Sequence, residues 1–281
     1  MAASEAELSR LYDQLARCNW WMRRLRRAGP GDDLAMRKRL HPGKDLLAGI
    51  EHLSGWLWNW AQPGDNPVVL DLGAGFGETM FDWAQRCEAG KFVGLGLSGY
   101  QINKARQEAA RRGLGERCRF VQQSFDVRLD EEFDRALSVE TLFHSPDLRQ
   151  TLAVVAAELA PGGQLLLVED MARSSEAAQS AAATELCERW STRRLHTRDD
   201  YLTAISASGL EVAEEHHLSP LLHISDESSR QKRRKKLLRL RRLMPFGRHM
   251  VDAFLGGLAM EEMHATHDLE YRTMRLLKPA A

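Results

Sequence analysis

Residues 68–79 read Val-Val-Leu-Asp-Leu-Gly-Ala-Gly-Phe-Gly-Glu-Thr and constrain the fold more than any other stretch of the chain. The apolar run follows Asn66-Pro67 and ends at Asp71, the pattern of a short buried strand that breaks into a turn. Gly73, Gly75 and Gly77 then admit positive φ and let a ligand approach the peptide groups closely. A helix predicted from Glu78 to Cys87 leaves its first amides facing that turn. A dinucleotide fingerprint needs its third glycine where Glu78 stands, and no Gly-Lys-Ser/Thr follows to make a phosphate-cradling loop.

Strand signals at 68–72, 92–97, 118–122, 134–139 and 164–169 alternate with helix signals at 78–88, 99–112 and 147–160. This alternation predicts an α/β protein: a mostly parallel sheet, helices on both faces, right-handed crossovers. Such sheets bind ligands beyond the carboxyl ends of their strands, which gathers 71–77, 97–101, 124–126, 140–144 and Asp170 at one edge. Beyond Asp170 come an Ala/Glu-rich helix (about 175–193), a helix at 198–208 and a strand at 210–217. A helical, basic interval at 221–265 precedes a last strand at 269–277. The expected organisation is a helical cap (1–62), a core (63–220), a lid insertion (221–265) and a final core strand (266–281). An insertion of roughly fifty residues is long for a connection and suits a lid or binding element.

Asp-x-Gly-x-Gly-x-Gly over Asp71–Gly77 resembles motif I of the class I S-adenosylmethionine (AdoMet) methyltransferases. Gly94-Leu95-Gly96-Leu97-Ser98-Gly99-Tyr100-Gln101 resembles the second-strand segment of their small-molecule members. In many relatives an acid here accepts from the ribose hydroxyls; Gly96 stands in that place, leaving the Leu97 and Ser98 backbone with Gln101 as ribose candidates. Ser124 and Phe125 match the adenine-binding position, and Phe125 is open to a core reading as well. Glu140 to Asp147 resembles the loop after strand four, with Asp147 a natural N-cap after Pro146. Pro161-Gly162-Gly163 matches the family's turn into strand five.

The resemblance implies a Rossmann-like seven-stranded sheet and AdoMet as cofactor. It implies cofactor contacts at Asp71, Gly73, Gly75, Gly77, Leu97, Ser98, Gln101, Ser124, Phe125 and Glu140. His144 follows strand four and Asp170 ends strand five; relatives use such a pair as a base and its tautomer-fixing carboxylate. An imidazole near its ordinary pKa of about 6.5 can take a substrate proton, and shaping the pocket is the alternative role. Glu140 is a further catalytic candidate, touching the cofactor or stabilising a cation. Tyr12, Trp20 and Trp21 are candidate grips on an apolar substrate, whereas Trp56, Trp58 and Trp60 read as a helix packed on the sheet.

Lys and Arg number 39, as do Asp and Glu, and this neutral balance hides basic clusters at 23–44 and at Arg230–Arg248. The second cluster alternates with Leu237, Leu238, Leu240, Leu243 and Met244. It reads as a solvated helix face, a hold for an anionic substrate such as a prenyl diphosphate, or a contact for an anionic membrane. Nucleic acid ranks last, because no aromatics interleave with the charges. No stretch approaches the roughly 20 apolar residues of a membrane span, no signal peptide is evident, and four scattered cysteines suggest reduced thiols in the cytoplasm. His216, His217 and His223 lack paired carboxylates at metal spacing, so no metal site is expected. The implied function is methylation of a small, largely apolar metabolite, at oxygen with His144 as base. Its rivals are C-methylation of an isoprenoid chain and a non-catalytic AdoMet-fold partner subunit.

Overall fold

The computed structural model describes residues 4–25, 53–243 and 248–280, with side chains of 19–25 outside that description. Trp20 and Trp21 therefore lie outside the described side chains. A seven-stranded sheet runs in the order β3-β2-β1-β4-β5-β7-β6. Its strands are β1 (Val68–Asp71), β2 (Lys91–Gly96), β3 (Cys118–Gln122), β4 (Phe133–Val139), β5 (Leu159–Ala172), β6 (Glu211–His217) and β7 (Leu269–Leu277). Neighbours from β3 to β5 pair in parallel, and β7 is antiparallel to both β5 and β6. The chain moves outward from β1 through β2 to β3, then returns to place β4 on the other side of β1. Strand order therefore reverses at β1, where a doubly wound sheet opens a crevice for a ligand.

Alternate residues of the central strands feed two cores. Val69, Leu137, Leu166 and Val168 join the core beneath α2 (Leu53–Ala61), α3 (Glu78–Arg86) and α4 (Gly99–Arg111). Leu70, Ala136, Leu165 and Leu167 join the core beneath α5 (Leu148–Glu158) and α8 (Arg198–Ala207). Burial on both faces explains why these strands read as continuous apolar runs. Trp56 packs in the first core, stacked on Trp60 with ring centres 4.8 Å apart. Trp58 meets Trp83 edge-on at 5.3 Å, so this Trp helix packs on the fold as its spacing suggests.

Side-chain caps start α4 and α5. Ser98 accepts from the Gln101 amide at the head of α4, and Asp147 accepts from the Arg149 and Gln150 amides at α5. The helix expected over 175–193 is instead α6 (Ser175–Ala178) and α7 (Ala181–Trp190), because Ser180 accepts from the Ala183 amide and restarts the helix. β5 begins at Leu159, earlier than expected, and its pairing with β4 shifts register where Gly162 (φ +76°) lies. The 221–265 interval holds α9 (Glu227–Leu243) and α10 (Arg248–Ala265). Helix α10 packs against α7 and α9, and also touches α1 (Glu5–Leu25). No helix of the described residues is long and apolar enough to cross a membrane.

Candidate active site

A cavity of about 380 Å³ lies beyond the carboxyl ends of β1, β2, β4 and β5. Leu8 and Tyr12 of α1, Trp190 of α7 and Met260 of α10 also line it. Its volume falls within the range of roughly 300–1,000 Å³ of small-molecule sites.

The glycine turn forms its floor at β1. Asp71 is buried and its Oδ1 accepts from the Gly73 amide at 3.1 Å. A methyl group on Gly73 would lie 2.0 Å from Thr141 Oγ1, so only glycine lets the turn pass under the loop after β4. Gly75 has φ +54° and open space where a Cβ would stand, the nearest atom being Gln101 Nε2 at 3.9 Å. That cradle can admit a ligand against the backbone, and the N-terminal amides of α3 follow it. Gly77 does not line the cavity; its missing Cβ makes room for Phe120 at 2.6 Å and Phe81 at 2.9 Å.

At the β2 edge, α1 has taken up several polar groups. Ser9 Oγ donates to the Leu97 carbonyl at 2.9 Å, and Asp13 Oδ1 accepts from Ser98 Oγ (2.5 Å) and the Tyr100 amide (3.1 Å). Leu97, Ser98 and Gln101 line the cavity, but the Ser98 hydroxyl is engaged by Asp13 and by its cap. Phe125 both lines the cavity and packs in the second core. Ser124 is buried outside the cavity lining, its Oγ accepting from the Asp126 amide.

At the β4–β5 edge, Glu140, His144 and Asp170 all line the cavity, as the sequence expectation required. Their partners differ from that expectation. His144 Nε2 lies 2.6 Å from the Tyr12 hydroxyl, and its Nδ1 has no hydrogen-bond partner among the described residues. Asp170 instead bonds His264 Nε2 of α10 at 2.9 Å, with both side chains almost fully buried. The expected His144–Asp170 hydrogen bond is therefore absent, and the carboxylate ties α10 to the sheet. Burial lowers the His144 imidazole to about 4, leaving it neutral, and pushes the Tyr12 phenol well above its ordinary value.

Glu140 sits at φ +53°, and its Oε1 accepts from the Tyr271 hydroxyl at 2.9 Å. Glu169, which the sequence reading passed over, lines the cavity with its Oε1 accepting from Ser138 Oγ and the Thr141 and Leu142 amides. Burial pushes its carboxyl up to about 8. Trp190, Met260, Tyr271 and His264 were also missed. The one local signal among these residues was the Glu169-Asp170 pair, two acids at the end of an apolar run, which β5 carries on to Ala172. Among the described residues the lining includes no Lys or Arg. Arg233, Arg234 and Arg241 of α9 bond carboxylates of α7 and α10, and no α9 residue lines this cavity.

Residues 63–235 match a family model described as a methyltransferase domain. The chain belongs to the AdoMet-dependent methyltransferase family. Methyltransferase GfsG of Streptomyces halstedii is 29% identical over 154 residues, 52% of this chain and 53% of that protein. The match thus spans about half the length of that curated relative. Among solved structures, the cyclase SpnF superposes with a TM-score of 0.74 at 18% identity, covering 100% of this chain and 98% of that one. A geranyl diphosphate methyltransferase, solved with its diphosphate and sinefungin, gives 0.73 at 16% identity over 98% and 99% of the two chains. At such identities these likenesses establish the fold. The cofactor of this methyltransferase family is AdoMet. The open cradle at Gly75, the buried Asp71 and the apolar walls fit it.

Proposed function

We propose that the protein methylates a hydroxyl of a neutral, largely apolar small molecule, with the Tyr12–His144 pair accepting the proton. The 2.6 Å hydrogen bond between these residues, inside a cavity without lining cations among the described residues, carries this reading. Bound AdoMet supplies an electrophilic methyl group. Asp71, the Gly75 cradle and Gln101 hold the cofactor, while Phe143, Trp190 and Met260 hold the acceptor and exclude water. As the acceptor oxygen is alkylated, its proton becomes strongly acidic. Tyr12 Oη receives that proton and passes its own to His144 Nε2, giving an imidazolium that discharges to water when the product leaves. An imidazole titrating at about 4 is basic enough for a proton of that acidity. Glu140 and Asp170 face the same cavity and favour the transient positive charge.

Calorimetric titration with AdoMet and S-adenosylhomocysteine tests the cofactor half, and labelled-methyl transfer to a panel of hydroxylated and prenylated metabolites tests the chemistry. Tyr12→Phe and His144→Ala are each expected to lower transfer about 100-fold or more, within the range for general-base catalysis, while cofactor binding persists. O-methylation at near-normal rate in both variants overturns the proton route. AdoMet binding without transfer to any acceptor favours the partner-subunit reading. C-methylation of an alkene is the second reading, supported by Glu140 beside the aromatic walls, which stabilise a carbon cation. In that case Glu140→Gln abolishes transfer and His144→Ala does not.

A further inference from the structure

Helix α9 buries none of its residues and is fastened by charge. Arg233 bonds Glu261 and Arg241 bonds Asp252, each at 2.7 Å, and Arg234 bonds Glu185 at 2.5 Å. Arg230 donates to the Ser225 carbonyl. Lys232, Lys235, Lys236, Arg239 and Arg242 are exposed, with no ion pair or hydrogen bond among the described residues. At about 100° per residue, these five positions fall within an arc of roughly 120°, and the four fastened arginines occupy the opposite side. Leu243, 79% exposed, falls inside the cationic arc, and Leu238, 40% exposed, lies about 40° beyond its edge. The sequence thus divides nine basic residues into an inner set that holds the helix and an outer set left for a partner.

We propose that this outer face docks on an anionic lipid bilayer, a role beyond the methyl-transfer reading. Charge complementarity selects a polyanionic partner, and screening makes such attraction sensitive to salt. The exposed leucines among the cations select lipid, since apolar side chains gain from entering the boundary between headgroups and acyl chains. A nucleic acid would offer Leu243 nothing comparable, and the cationic arc contains no aromatic side chain to stack on bases.

The test is cosedimentation of the full chain with phosphatidylcholine vesicles, with and without phosphatidylglycerol, beside titration with duplex DNA in the same buffer. Binding is expected to the anionic vesicles alone and to vanish at high salt. The triple variant Lys232→Gln, Lys235→Gln, Lys236→Gln should bind about 100-fold more weakly, at roughly fivefold per cation. Removal of equal charge elsewhere, by Lys91→Gln, Arg119→Gln and Arg128→Gln, should leave binding unchanged. Leu243→Ser should weaken vesicle binding severalfold without altering any affinity for DNA. Thermal unfolding and AdoMet titration of each variant verify that it is folded. The proposal is overturned if wild-type protein ignores anionic vesicles, if both triple variants lose binding equally, or if DNA binds more tightly than vesicles and Leu243→Ser has no effect.

Discussion

Glu169→Gln isolates a single buried proton. Glu169 Oε1 accepts from Ser138 Oγ at 2.9 Å and from the Thr141 and Leu142 amides at 2.8 Å each. Its Oε2 has no hydrogen-bond partner among the described residues. Burial outweighs those three hydrogen bonds and raises the carboxyl from an ordinary 4.5 to about 8. The unfolded chain releases this proton near 4.5, whereas the folded chain keeps it until about 8. Between those values the unfolded state binds fewer protons, so stability falls as pH rises. The contribution is fully present below 4.5 and lost as pH passes 8. At 1.36 kcal/mol per pH unit, the loss by pH 8 is about 4 kcal/mol.

Glutamine copies the protonated acid: its oxygen serves the same three donors, and its amide group takes the unpartnered place. The variant keeps every other titration and loses only this one. Thermal unfolding of both proteins, from about pH 5 to about pH 9, reads the difference directly. Glu169→Gln should match wild type within a few degrees at the acid end. By pH 8 it should unfold about 8 °C higher, at roughly 2 °C per kcal/mol for a chain of this size. Parallel curves would refute the assignment, because they would mean that Glu169 titrates alike in both states.

Gly77→Ala forces a Cβ to within 2.6 Å of Phe120 at φ +85° and should cost about 2–4 kcal/mol by chemical denaturation. Gly75→Ala, with open space around its Cβ, should cost about 1 kcal/mol of stability yet weaken AdoMet binding at least about tenfold in calorimetry. His264→Ala removes the 2.9 Å hydrogen bond to the buried Asp170 carboxyl and should destabilise by about 1.5–3 kcal/mol. Adding Asp170→Asn should recover part of that loss, and additive effects would refute the pairing. Tyr271→Phe removes the 2.9 Å hydrogen bond to Glu140 and should cost about 1.5–3 kcal/mol in urea unfolding.

The fold was legible because its signals are local. An apolar strand, a glycine turn and the start of the next helix sit within about ten residues of one another, and β3 and β7 occur at the expected residues. Parallel strands buried on both faces carry a strong apolar signal, and crossover handedness leaves few ways to order them. The single helix expected over 175–193 failed for a local reason as well: Ser180 caps a new helix in mid-segment, inside a composition favourable to helix throughout.

The site was legible as a set of places but not as a set of pairs. The edge rule brought Asp71, Glu140, His144 and Asp170 to one cavity, because strand ends are positions along a sheet. Pairing depends on what α1 and α10 contribute, and no periodicity encodes that. Tyr12 reaches His144 from 132 residues away, and His264 reaches Asp170 from 94. Strand parity adds a further constraint. Leu166 and Val168 point to one core and Leu165 and Leu167 to the other, so the adjacent Glu169 and Asp170 diverge likewise. One carboxyl turns to the loop that carries His144 and the other to α10. His144 is left with a phenol rather than a carboxylate, and a neutral imidazole in a buried cavity follows from that. In the proposed reaction its proton comes and goes through Tyr12, which makes a residue of α1 part of the proposed chemistry.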